Sequence, residues 1–105
     1  MNKRPNDTAK ITAPGKVTLI GHIDVPREQV AVVTAALAEH ITLTRNEPGC
    51  LVFEVTPDYA VFGRFSVYEE FANIGAFHAH QRRIKGSAWE AVTANAKRDY
   101  SVTGI

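Results

Sequence analysis

His78 and His80 lie two positions apart, just ahead of Arg82, Arg83 and Lys85, and they are this chain's clearest proton-handling groups. An imidazole titrates near ~6.5 and exchanges a proton around neutrality. The neighbouring cations either draw in an anionic substrate group or form a solvated helix end that complements the helix dipole. At about 100° per residue, His78 falls inside an apolar arc of Phe71, Ile74 and Phe77, with His80 just beyond its edge. The two rings diverge, so they do not share one ligand. The chain has four histidines but no His-x-His pair on an expected strand and no His-Glu-x-x-His helix, so no metal site is expected. His22 is read as a structural partner of Glu54 or Tyr68. Cys50 is the single cysteine, which excludes an intrachain disulfide and a thiolate zinc cage. It heads an apolar strand with no activating cation nearby and reads as a small buried residue.

The elements that must carry these groups follow from periodicity. Residues 1–15 are polar, charged and closed by Pro14-Gly15, which suggests a flexible leader ahead of one domain over 16–105. Lys16 to Val25 alternates as a half-buried strand, with Val17, Leu19, Gly21, Ile23 and Val25 on one face. Pro26 opens a helix expected to reach Arg45, carrying Val30, Val33, Leu37, Ile41 and Thr44 inward. Asn46-Glu47-Pro48-Gly49 breaks it. A strand over Cys50 to Val55 follows, with Leu51, Phe53 and Val55 on its apolar face, and after the Pro57-Asp58 turn a longer strand runs from Ala60 to Glu69. A second helix is expected to start near Glu69 and Glu70, whose charges suit a helix N-terminus, and to stop at Gly86. Trp89, Val92 and Ala96 mark a further helical piece, and Tyr100 to Ile105 a closing strand.

Strand, helix, strand, strand, helix, strand is the order of an α+β, ferredoxin-like split βαβ subunit with an antiparallel sheet and helices on one face. The other face, with Thr18, His22, Glu54, Phe62, Arg64, Ser66 and Tyr68, mixes aromatics with polar groups. A second copy packed on it as a homodimer through the sheet faces would bury it in a dimeric barrel. A chain of 105 residues with 45% apolar content supports one core. The formal charge of +1 comes with no dense basic block, which argues against nucleic acid. No run approaches the ~18 apolar residues of a membrane span, and the expected setting is cytoplasmic.

Glu47-Pro48-Gly49-Cys50, then a strand, then Glu69-x-Phe71 and Ala76-Phe77-x-x-His80, resembles the signature spacing of the antibiotic biosynthesis monooxygenase family of dimeric α+β barrels, over roughly Lys16 to the C-terminus. The resemblance implies a ferredoxin-like dimer. It implies several chemistries, because members include quinol oxygenases, polyketide oxidases, haem degraders and isomerases. The family's oxygenases commonly carry an Asn on the first strand, a Trp near the second helix and a His further along. In this chain those positions hold Gly21, Phe71 and His80. Without the Asn donor and the indole N–H, haem degradation is disfavoured.

The resemblance thus implies a monooxygenase oxidising a small quinol or polyphenolic aromatic with dioxygen and without a cofactor. Such chemistry needs a pocket that desolvates the phenol, a base to make the phenolate, and room for dioxygen. His80 is the expected catalytic base. Phe53, Phe65, Phe71, Phe77, His78 and Trp89 are the expected substrate-binding residues, with Phe71 packing on the ring and Trp89 as a lid. The alternatives are a non-catalytic dimeric binding module for a small molecule and an isomerase acting on a small carbonyl metabolite.

Overall fold

The computed structural model describes residues 15–105. The leader expected over 1–15 lies, apart from Gly15, outside the described residues. The chain forms β1 (Val17–Asp24), a 3-10 turn (Arg27–Gln29) that runs into α1 (Val30–Arg45), β2 (Cys50–Pro57), β3 (Arg64–Phe71), α2 (Ile74–Ile84), α3 (Ala88–Val92) and β4 (Lys97–Thr103). The four strands pair antiparallel in the order β2-β3-β1-β4, which is the expected ferredoxin-like α+β plan. No helix of the described residues is long and apolar enough to cross a membrane.

Alternation sets the two faces of the sheet. Val17, Leu19 and Ile23 of β1, Phe53 and Val55 of β2, and Phe65, Val67 and Phe71 of β3 are buried. They meet Val33 and Leu37 of α1, Phe77 of α2 and Trp89 of α3 in one core. The opposite face carries Ile20, 57% exposed, beside half-buried His22 and Tyr68. His22 lies 3.9 Å from Asp24 rather than meeting Glu54 or Tyr68, and Asp24 is held by Arg64 at 2.7 Å and 3.0 Å.

Three expectations are corrected. β3 starts at Arg64, not Ala60, because Asp58 accepts hydrogen bonds from Ala60 and Val61 and the Arg64 N–H donates to the Val61 carbonyl, closing a turn before the strand. Phe62 therefore sits in that turn, under the Arg27 guanidinium at 4.5 Å. The same strand runs on to Phe71, so Glu69 and Glu70 are strand residues, not a helix start. The helix instead begins after Asn73, whose side chain accepts from Ala76 N–H at 2.8 Å. Leu51 is exposed because the β2–β3 register shifts between Cys50 and Val52, which turns Leu51 outward while Phe53 and Val55 keep their inward phase.

Gly21 shares its phase with Leu19 and Ile23 but lies close against β4. A Cβ placed there would sit 2.0 Å from the Asp99 carbonyl oxygen. Gly21→Ala must push β4 away from β1 and is expected to lower stability by at least ~2 kcal/mol in urea unfolding. A change within ±0.5 kcal/mol would mean that the β1–β4 edge is looser than this geometry.

Candidate active site

The loop that follows α1 aims a carboxylate at the second helix. Arg45 donates to the Phe53 carbonyl at 3.0 Å and 2.8 Å, tying the end of α1 to β2. The Asn46 and Glu47 amides still bond back into the helix, and the Ala72 N–H donates to the Gly49 carbonyl at 2.8 Å. Gly49 has φ +83, and a Cβ there would lie 2.6 Å from the Ala76 Cβ, so only glycine lets this loop rest on α2. Glu47 is thereby brought against residues more than thirty positions ahead of it. One carboxylate oxygen lies 2.9 Å from His80 Nδ1, and the other accepts from the Arg83 guanidinium. Arg83 also donates to Thr44 Oγ1 at 2.8 Å. Arg83 is thus a clamp on the glutamate and not a solvated helix end.

With Glu47 accepting at Nδ1, the His80 proton resides there and Nε2 keeps its lone pair. The ring is 1% exposed, and Nε2 has no hydrogen-bond partner. Burial pushes the imidazole's pKa below its ordinary value, opposed by the Glu47 carboxylate and reinforced by Arg83. At neutral pH the ring is an uncharged base. Phe71 packs on it at 5.1 Å between ring centroids and Phe53 at 5.6 Å, which fixes its plane.

His80 borders a cavity of about 680 Å³ between the sheet and the helices, within the size range of small-molecule sites, while Nε2 itself is buried. His80, Phe53, Phe77 and Trp89 line it. Phe65 and Phe71 are buried in the same core but are not among the lining residues. His78 is exposed on α2. The arc that put His78 inside does not exist, since Phe71 belongs to β3 and Ile74 is 42% exposed. The inward face of α2 is instead Phe77, His80 and Ile84, which all line the cavity.

Two further buried polar groups, not among the expected site residues, border the same space. Glu69 points inward from the middle of the sheet, between Leu19 of β1 and Phe53 of β2, and is 6% exposed. Its Oε1 has no hydrogen-bond partner and lies 4.0 Å from His80 Nε2. Burial, with the Glu47 charge second, raises its pKa from 4.5 to about 7. His40 of α1 stacks on Trp89 at 4.4 Å with planes 3° apart, and its Nδ1 is also unpartnered. Burial first, then His80 and Arg83, lowers its pKa to about 3, so it is neutral. Cys50 is half-buried with its thiol pKa raised by burial and by Glu47 and Glu69, which makes it a poor nucleophile. Among the described residues no three His, Cys, Asp or Glu side chains are grouped to hold a metal ion.

The Glu69 carboxyl holds its proton more tightly folded than unfolded, so between pH 4.5 and about 7 the folded chain binds more protons and this group's contribution to stability falls as pH rises. Replacing Glu69 by Gln removes that loss. The stability of Glu69→Gln relative to the parent should climb across this window by an amount on the order of 2–3 kcal/mol in urea titrations at stepped pH, whereas a flat difference would place the carboxyl in water.

The residues 16–92 match the family model described as antibiotic biosynthesis monooxygenase. No curated protein matches the chain. Among solved structures, the chain is similar to a protein from Nitrosomonas europaea, named as a candidate antibiotic biosynthesis monooxygenase, with 18% identity, a TM-score of 0.75, and coverage of 88% of this chain and 91% of that one. A Deinococcus radiodurans protein named in the same way gives 24% identity and a TM-score of 0.66 over 82% and 88% of the two chains. MupZ from Pseudomonas fluorescens gives 18% and 0.69 over 84% and 70%. The likenesses to solved structures carry the fold alone, but the family model spans most of the chain: this protein belongs to the antibiotic biosynthesis monooxygenase family.

Proposed function

We propose that the protein is a cofactor-independent monooxygenase of small dihydroxylated aromatics, in which His80 takes a phenolic proton. The observation that carries this reading is the unpartnered Nε2 of a buried, uncharged imidazole, held by Glu47 in a ring that borders the cavity. Removing the proton leaves an electron-rich phenolate in an apolar space, where Phe53, Phe77 and Trp89 offer ring contacts. Dioxygen then meets a carbanion-like ring carbon. One oxygen atom is inserted and the other leaves as water, with the substrate quinol supplying all the electrons as it becomes a hydroxyquinone. No outside reductant is required. As His80 becomes an imidazolium, the Glu47 carboxylate stabilises it, as the third member of a nucleophile–base–acid triad does.

Homodimerisation belongs to the same reading. Ile20, 57% exposed, lies on the side of the sheet that the helices leave open, and a second copy packed there would remove it from water. Ile20→Lys is expected to shift the chain from dimer to monomer in sedimentation velocity. A parent chain that is monomeric at tens of micromolar would refute the arrangement.

Oxygen uptake separates the enzyme from a binding module. With a panel of hydroquinones, uptake should match substrate consumed one to one. His80→Ala should reduce it at least ~100-fold, and Glu47→Gln, which loosens the tautomer, at least ~10-fold. Saturable binding of panel members with no uptake would favour the non-catalytic module.

A further inference from the structure

Glu69 is left over by the proton abstraction just described, yet it is one of the least explicable side chains in a purely structural account. It is a carboxyl in the middle of an apolar sheet face, 94% removed from solvent by its 6% exposure, with no cation beside it and one oxygen lacking any partner. Buried groups of this kind cost stability unless something satisfies them. The cation in the neighbourhood, Arg83, is already committed to Glu47 and Thr44. The groups facing Glu69 from the packed elements are His80 of α2, Glu47 ahead of β2, Cys50 of β2 and Tyr100 of β4. None of them bonds to its Oε1.

The second half of the observation is the spacing. His80 Nε2 and Glu69 Oε1 are both buried and unpartnered, belong to residues that border the cavity, and lie 4.0 Å apart. That gap is too long for a direct hydrogen bond, whose heavy atoms lie ~2.7–3.2 Å apart. It suits two neighbouring oxygens of one ligand, each bonded to one of the two groups. Adjacent ring hydroxyls are separated by about one hydrogen-bond length, and they can meet both groups from a single edge of the ring. Hydroxyls on opposite ends of a ring point in opposite directions, so only one of them can reach this pair.

We propose that Glu69 and His80 together form a recognition pair for vicinal oxygens, so that the site takes ortho-dihydroxylated aromatics, catechols, in preference to para-quinols. This rests on the reading of His80 as the base and adds the substrate class. The proton of one hydroxyl moves from oxygen to His80 Nε2, while the second hydroxyl stays protonated and bonds to Glu69. No electron moves in this step. Because a carboxyl can accept from a hydroxyl when ionised and donate to an oxyanion or carbonyl when protonated, the same side chain serves the catechol and its oxidised product.

Anaerobic titration calorimetry with 4-methylcatechol and methylhydroquinone tests the recognition apart from the oxidation. The parent protein should bind the catechol at least ~10-fold more tightly, the worth of one additional hydrogen bond to a carboxyl group. Glu69→Leu, which keeps bulk at an apolar position, should bring the two affinities to within about threefold, by loss of catechol affinity alone. Glu69→Gln, which keeps a donor and an acceptor, should retain most of the preference. Equal affinities in the parent, no saturable binding of either compound, or a preference that survives in Glu69→Leu would overturn the proposal. Oxygen uptake with the same two compounds judges the other reading independently. Turnover of both without ortho preference leaves the oxygenase standing and removes the pair, whereas Glu69-dependent catechol binding without uptake leaves the pair standing and removes the oxygenase.

Discussion

The Glu47 carboxylate between His80 and Arg83 is the contact on which the site depends, because it settles three things at once. It holds the imidazole proton at Nδ1, it balances a guanidinium in a half-buried position, and it ties the end of α1 to α2 across the β2 edge. A half-buried carboxylate next to apolar residues would be costly alone, and with a guanidinium and an imidazole N–H as donors most of its lone pairs are used. The turn at Asn46 to Gly49 exists in a form that glycine alone allows, and its outcome is the placement of this one side chain. Everything downstream, including the unpartnered Nε2, follows from where Glu47 sits.

The pairing also explains why the second glutamate behaves so differently. Glu47 has a guanidinium as its partner. Glu69 faces Leu19 and Phe53 across the strands and feels the Glu47 charge as a repulsion, so it retains its proton to around pH 7. Of two carboxyls on neighbouring elements, one thus has a cation and an imidazole as partners and the other is buried with one oxygen unpartnered, an arrangement common to sites that handle acids and bases together. Around them, Phe53 and the Trp89–His40 stack supply rigid walls, Phe71 packs on the His80 ring, and the sheet and helices supply the enclosing layers.

Much of this was legible in the chain itself, and the failures have a common cause. Alternation fixed the inward faces of β1 and of the core part of β3, since every period-two position there is decided by burial against helices. The β3–α2 boundary was misplaced because Glu69 and Glu70 have low strand propensity and acidic residues suit helix starts. In the fold, Glu70 instead bonds Tyr68 and Lys16 on the open side, and Glu69 enters the cavity. That error carried Phe71 onto a helix and made His78 look like the inward histidine. The family spacing, independent of that boundary, pointed to His80. His40 was readable: it falls three after Leu37 and four before Thr44, on the buried stripe of α1, but a polar residue on an apolar stripe is easily passed over. The Glu47–His80 contact spans 33 residues, and no local spacing encodes it. The bulge at Leu51 likewise depends on pairing with β3.

The central claim, a neutral His80 protonated at Nδ1 with an unpartnered Nε2, is accessible to nitrogen NMR on protein labelled in its histidine rings. Across pH 7 to 8 the account predicts a His80 ring with a protonated, Glu47-bonded Nδ1 and an unprotonated Nε2, and loss of that tautomer in Glu47→Gln. A ring protonated at Nε2, or a doubly protonated imidazolium persisting at pH 8, would contradict it.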